Sequence, residues 1–371
     1  MIKTNYLNAI KEKLAKEKVF TAAVILAAAS SLVVRPKLDY INFKVLVLLF
    51  NLMIIVAAFE KLRVMDKIAV EILTRCKNTR VVSLVFIVVT FFSSMVVTND
   101  VALLTFVPLA ILTLKSARID PMKTIIIQTL AANIGSSLTP MGNPQNLFLF
   151  THYKLSGIEF FSVTTPFVLL GFLWLLILNR RTPRKRIKIS TQKVHIEDKK
   201  RTCIYLILFL IITASVFNLI NYVYTFATVI VFVFILDRHL IKEVDYFLLA
   251  TFVGFFVFIG NISNIEFVQA QLRIFLKIPH MPYISSIVLS QVISNVPCSI
   301  LVSCFTNNWK EVLLGVNVGG MGTIIASLAS LISYKIYSNE NCDRSGEYIK
   351  KFHIYNIISL ILFSLIMYIQ I

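Results

Sequence analysis

Runs of roughly 15–20 apolar residues recur from Val19 to the end of the chain, each about the length an α-helix needs to cross a bilayer's hydrocarbon core. In lipid every backbone N–H and C=O must be paired inside the segment, so spans of this kind fold as helices. They fall at 19–34, 43–59, 160–179, 202–220, 222–236, 246–260 and 352–370. Strands of a membrane β-barrel would be short and would alternate in polarity. Only 15% of the residues are charged, where soluble domains carry about a quarter. The chain is expected to be an all-α polytopic membrane protein, with no polar stretch long enough for a separate soluble domain.

Four further apolar stretches, 81–114, 122–150, 283–305 and 312–336, are interrupted by polar, Gly or Pro residues. The basic residues decide how these run. Let 81–114 and 283–305 be re-entrant hairpins that return to their own side, and let the other two cross as broken helices. Residues 1–18, 60–80, 115–123, 180–201, 237–245 and 335–351 then share one side and hold 30 of the 37 Lys and Arg residues. The positive-inside rule makes that side cytoplasmic, with nine crossings of the cell membrane and the C-terminus outside. It also accounts for the net charge of +18 without nucleic acid as a partner. The first apolar run, ending in Ala27-Ala28-Ala29-Ser30, imitates a signal peptide. It reads as an uncleaved helix, since everything downstream is membrane-embedded too. The organisation is a cytoplasmic segment 1–18, a first repeat 19–179, a basic linker 180–201, a linking helix 202–220 and a second repeat 222–371.

The two halves match. The first interruption reads Thr98-Asn99-Asp100 and the third Ser294-Asn295-Val296-Pro297. The second and fourth place Asn, Gly and Thr at the same offsets, as Asn133, Gly135 and Thr139 and as Asn317, Gly319 and Thr323. An apolar face at helical spacing precedes each hairpin, at 60–77 and more weakly at 264–278. One hairpin would enter from inside and the other from outside, which relates the halves by a two-fold axis in the membrane plane. Inverted repeats with discontinuous helices point to a secondary transporter whose site lies at the midplane.

Backbone groups freed at a break inside lipid must be buried or line a polar cavity, and Asn, Ser and Thr can satisfy either that backbone or a ligand. The candidate substrate- and ion-binding residues are Thr98, Asn99, Asp100, Asn133, Gly135, Thr139, Asn143, Asn146, Ser294, Asn295, Asn317, Gly319 and Thr323. Asp100 is the lone acidic residue within these stretches, either capping the second hairpin arm or taking up a cation, with Asn99 as a companion ligand for Na⁺. The run Gly142-Asn143-Pro144-Gln145-Asn146 has no counterpart in the second half, and serves either substrate selectivity or a plain turn. Ser327 and Ser330 either line the cavity or let helices pack closely. The five Cys show no metal or disulfide spacing, and the five His fall in loops or at span ends. No catalytic or nucleotide-binding motif is present, so the chain reads as a non-enzyme without a cofactor, driven by Na⁺, by H⁺ or by its substrate's own gradient.

TNDVALLTFVPLAI followed by NIGSSLTPMGNPQN resembles the arsenite permease and sodium–proton antiporter D group of the ion transporter superfamily, with its citrate-transporter-like domain. SNVPCSILVS and GVNVGGMGTIIASLASLI look like the matching C-terminal signature, so the resemblance covers roughly residues 20–370. It implies an elevator-type carrier, often a homodimer, whose hairpin tips and broken helices meet at the site. The anion-permease members of the group imply a small anionic substrate, a carboxylate or inorganic oxyanion, with a coupling cation. Sodium–proton antiport and arsenite or antimonite efflux are the other activities it implies. Dicarboxylate carriers of the superfamily have Ser-Asn-Thr at both tips, whereas the third position here is Asp100 in one and Val296 in the other.

Overall fold

The computed structural model describes residues 18–73, 76, 78–185, 196 and 198–371. Most of the segment 1–18, the middle of the basic linker 180–201 and part of 60–77 lie outside the described residues. Among those described there is no β-strand. After α1 (Lys18–Ser31) the helices follow one order twice. The first pass has α2 (Phe43–Lys61), the short α3 (Val64–Leu73), the hairpin α4 (Thr79–Val97) and α5 (Asn99–Ser116), the broken pair α6 (Met122–Ser136) and α7 (Pro144–His152), and α8 (Gly157–Arg180). Two helices intervene, α9 (Lys199–Val216) and α10 (Tyr222–Leu236). The second pass has α11 (Tyr246–Ser263), the short α12 (Glu266–Phe275), the hairpin α13 (Met281–Ile293) and α14 (Asn295–Ser303), the broken pair α15 (Trp309–Gly319) and α16 (Leu328–Glu340), and α17 (Ser345–Tyr368).

Among the described residues, six helical segments are long and apolar enough to cross a membrane: α2, α4, α5, α8, α11 and the last helix with its leading turn, Cys342–Tyr368. The arms of the first hairpin are thus longer than a half-membrane re-entrant loop needs. Its bases nevertheless return to one end of the bundle, because α4 and α5 are antiparallel and share the cluster of Val82, Phe86, Ala110 and Leu114. The segment 264–278 is helical over Glu266–Phe275, and the first residues of 60–77 belong to α2. α2 runs on through Lys61, and Arg63, in the left-handed region at φ 56°, separates it from α3. Nothing in α12 is buried.

Contacts between chain-distant residues sort the loops into two ends. At one, Lys61 pairs with Asp237, Arg80 Nε donates to the Thr182 carbonyl at 2.9 Å, Lys115 pairs with Glu340 at 3.3 Å and Arg344 with Asp120 at 2.9 Å. The Lys61 ammonium holds the Asp237 carboxyl below its ordinary range. At the other end, Lys44 donates to Asn218, Tyr153 to the Thr306 carbonyl at 2.9 Å, and the His280 and Tyr368 rings lie 4.6 Å apart. Helices α2, α8 and α17 each run from one group to the other. The α4–α5 hairpin has its bases in the first group, and the α13–α14 hairpin has its bases in the second.

Candidate functional site

Both hairpins turn on a single residue, and on the same unusual backbone. Thr98 sits at φ 75°, ψ 153° and Ser294 at φ 73°, ψ 153°. Positive φ is strained for a residue with a Cβ, more so for β-branched Thr98, so the packing around each tip must enforce it. Each tip ends one helix and starts the next without a connecting loop.

Helix ends strand backbone groups, and the repeated motif repairs them in parallel. Thr139 donates to the carbonyl of Met95 at 2.6 Å, and Thr323 to that of Gln291 at 3.1 Å. Met95 and Gln291 each lie four residues before their tip asparagine. Gly135 lies against Phe91 and Ser94, and Gly319 against Ile287 and Ser290, again at matching offsets from Asn99 and Asn295. The threonines and glycines of the motif therefore close the breaks onto the hairpin arms. Thr139→Val and Thr323→Val are each expected to lower stability by about 1 kcal/mol, the worth of one internal hydrogen bond, with transport retained. Thermal unfolding in detergent measures this.

The asparagines build the centre. Asn133 Oδ1 accepts from Asn99 Nδ2 at 3.2 Å and from Ser327 Oγ at 3.0 Å, while its Nδ2 donates to the Gly320 carbonyl at 3.2 Å and to Ser330 Oγ at 3.3 Å. This one side chain joins the first tip to the second broken helix. Asn295 stands on the far side of Gly320, where an added Cβ would lie 2.9 Å from Asn295 Nδ2. Ser294 Oγ reaches the Ala326 carbonyl at 3.4 Å. Asn317 Nδ2 donates to Asn146 Oδ1 at 2.8 Å, and Asn317 Oδ1 accepts from Asn143 Nδ2 at 3.4 Å. All of these asparagines are buried.

Asn143 and Asn146 bond mainly within their own broken helix, between residues 136 and 146. Asn143 caps α7 by accepting from the Asn146 N–H at 2.9 Å, and Asn146 Nδ2 reaches the carbonyls of Ser136, Ser137 and Thr139. They bind the halves of the broken helix together and hold Asn317. Gln145 is buried in the first turn of α7. Gln291, which the sequence reading passed over, does similar work in the second half: it accepts from the Thr323 N–H at 3.0 Å and donates to the Gly319 carbonyl at 2.8 Å. Its signal was a long amide inside an apolar run, at the position of Met95.

Asp100 lies in the first turn of α5, where the helix dipole favours a negative charge. Its N–H donates to Asn99 Oδ1 at 3.0 Å. Its own Oδ1 is buried with no hydrogen-bond partner among the described residues. A capping carboxylate would accept a backbone N–H there, so this oxygen is left available to a ligand.

Four helix N-termini, those of α5, α7, α14 and α16, thus meet at one buried polar cluster, together with the C-termini of α4, α6, α13 and α15. Among the described residues no group of three metal-ligating side chains occurs. Such a meeting of broken helices within a bundle of apolar spans defines a membrane transporter. The chain belongs to the citrate transporter family, which matches residues 6–306. It is 35% identical to an "uncharacterized transporter" of Methanocaldococcus jannaschii over 81% of this chain and 82% of that one. It is 29% identical to the inner membrane protein YbiR of Escherichia coli over 89% and 87% of the two chains. The silicon efflux transporter LSI3 of Oryza sativa is 39% identical over 23% of this chain and 17% of its own.

Proposed function

We propose that this protein is a secondary active carrier of a small anion, a carboxylate or inorganic oxyanion, coupled to Na⁺ or H⁺. The observation that carries this reading is the convergence of α5, α7, α14 and α16 on one cluster. Each N-terminus brings about half a unit of positive charge, which suits an anion. The C-termini ending at the same place present carbonyls, and Asp100 adds a carboxylate, so a cation fits beside the anion. Thr98, Asn99, Asp100, Asn133 and Asn295 are the residues we assign to the ligands, with Asp100 and Asn99 facing the cation. Ser294, Asn317, Gly135, Gly319, Thr139, Thr323, Asn143 and Asn146 frame the site.

The matched tips, the matched repairs and the hairpins rooted at opposite ends support two inverted repeats and an elevator-type movement. The basic loops support a cytoplasmic placement of the end that holds Asp237 and Arg344, with the N-terminus inside and the C-terminus outside the cell membrane. A homodimer is the assembly we assign. Citrate and silicon in the names of the family and of one relative fit a superfamily that varies its cargo on one frame. Sodium–proton antiport is the second reading, favoured by the Asp100 carboxylate oxygen that is buried without a hydrogen-bond partner among the described residues.

The test is purified protein in proteoliposomes, with uptake of citrate, other carboxylates and inorganic oxyanions measured under imposed Na⁺ or H⁺ gradients. Accumulation of one anion that collapses with the gradient is expected. Proton movement driven by Na⁺ alone, with no anion required, would establish the antiporter instead.

A further inference from the structure

A file of buried hydroxyls runs between α6, α16 and α17, from the Asn133 cluster toward the end of the bundle that holds Arg344. Thr129 Oγ1 donates to Ser333 Oγ at 2.8 Å, and Ser333 Oγ lies 3.1 Å from the Tyr348 hydroxyl. Ser333 also reaches the Ser330 carbonyl at 3.1 Å, and Ser330 Oγ bonds Asn133. At the outer end the Tyr337 ring stacks on Tyr348 at 4.7 Å, and its hydroxyl is buried without a hydrogen-bond partner among the described residues. One turn before Tyr348, Arg344 pairs with both Asp120 and Glu347.

Hydroxyls between membrane helices often serve as packing glue. The other half of the molecule argues against that here. There α15 packs on α7 and α8, as α6 packs on α16 and α17. Leu313 stands four residues before Asn317, as Thr129 does before Asn133. Leu149 stands six after the α7 cap residue Asn143, as Ser333 does after the α16 cap residue Ser327. Phe160 is the fourth residue of α8, as Tyr348 is of α17. All six side chains are fully buried. The fold closes this junction with Leu, Leu and Phe in one half, so it does not need Thr, Ser and Tyr in the other.

We propose that the α6–α16–α17 seam is the aqueous route by which the coupling cation passes between the tip cluster and the Asp120–Arg344–Glu347 end. This rests on the carrier reading above. When the seam is shut the hydroxyls satisfy one another, and when it parts they exchange partners for water at little loss. The Leu–Leu–Phe junction has no such exchange and stays sealed. The hydroxyl and carbonyl oxygens of the seam are ligands that a cation can use on its way through. At its mouth Arg344 and Lys351 are balanced by Asp120 and Glu347, so no net positive charge bars a cation. The orphaned Tyr337 hydroxyl marks where water enters.

The test uses the full chain in proteoliposomes. In a background without the five native cysteines, Ser333→Cys is treated with a small cationic methanethiosulfonate from each side during turnover, and Leu149→Cys serves as its twin. Ser333→Cys should react from the Arg344 side only, and Leu149→Cys from neither. The combined variant Thr129→Leu/Ser333→Leu/Tyr348→Phe, which copies the other half, should insert and bind but lose gradient-driven uptake. Should it fail to fold, Tyr348→Phe alone should slow uptake driven by the cation gradient while sparing anion exchange. Unreactive Ser333→Cys, or wild-type uptake in the folded combined variant, overturns the route. Absence of anion uptake by the wild type would defeat the carrier reading, and the labelling pattern would still report on the seam.

Discussion

Asp100→Asn should abolish concentrative uptake while the protein remains folded and inserted. The substitution keeps the shape of the side chain and an oxygen able to cap, so a purely structural Asp would tolerate it at a cost of about 1 kcal/mol or less. The structure gives Asp100 no capping bond to lose at Oδ1, which is buried and unpartnered among the described residues. A carboxylate that takes up the driving cation cannot be replaced this way, because an amide neither titrates nor carries the charge that offsets Na⁺ or H⁺. The second hairpin supplies the control, since Val296 occupies the matching position and that tip holds the same φ and ψ without an acid. Exchange of substrate across the membrane, which needs no net cation movement, should survive better than accumulation. Wild-type uptake by Asp100→Asn with unchanged pH and Na⁺ dependence would remove Asp100 from the coupling site. The cation would then have to be held by the carbonyls and the Asn side chains of the four breaks.

The breaks were legible in the sequence because lipid leaves so few ways to interrupt a helix. Thr98-Asn99 and Ser294-Asn295 stand where the two hairpins turn, and Asn, Gly and Thr at matching offsets mark the broken helices. What each polar side chain does at a break was not legible. An amide in an apolar run reads the same whether its partner is a ligand or a stranded carbonyl. Asn146, read as either a selectivity residue or part of a plain turn, gives its Nδ2 to three carbonyls at the end of α6 and the break that follows it. Thr139 and Thr323 spend their hydroxyls on the ends of α4 and α13. The seam was hidden for another reason. Thr129, Ser333 and Tyr348 come from three helices, and only the packing of the second half against the first brings them together. The start of the first amphipathic segment was drawn too early, because residues 60 and 61 continue α2 and the chain turns at Arg63.

The paired glycines give the second large effect, and the two should behave differently. A methyl group added at Gly135 would fall inside the backbone carbonyl oxygen of Phe91, which α4 holds in place. Nothing nearby can swing aside, so α6 must move off the hairpin arm, pulling Asn133 away from Asn99. Overpacking of a fixed core typically costs about 1–3 kcal/mol, and an unyielding backbone contact belongs at the top of that range or above it. Gly135→Ala should therefore give little folded protein and no transport. At Gly319 the added methyl would lie 2.8 Å from the Cβ and Oγ of Ser290 and 3.2 Å from the Cα of Ile287. Here the nearest atoms belong to a small side chain, so the loss should sit at the lower end of the range, with transport reduced and not lost. Ser290→Gly should restore Gly319→Ala in part by removing the clashing Cβ. No single side-chain change at Phe91 or Ser94 should restore Gly135→Ala, because a backbone oxygen makes the closest approach. Size-exclusion profiles and thermal midpoints of the two single variants and of Gly319→Ala/Ser290→Gly read all of this together. Equal tolerance of alanine at Gly135 and Gly319 would mean that the first broken helix is not seated on its hairpin as closely as the Asn99–Asn133 bond requires.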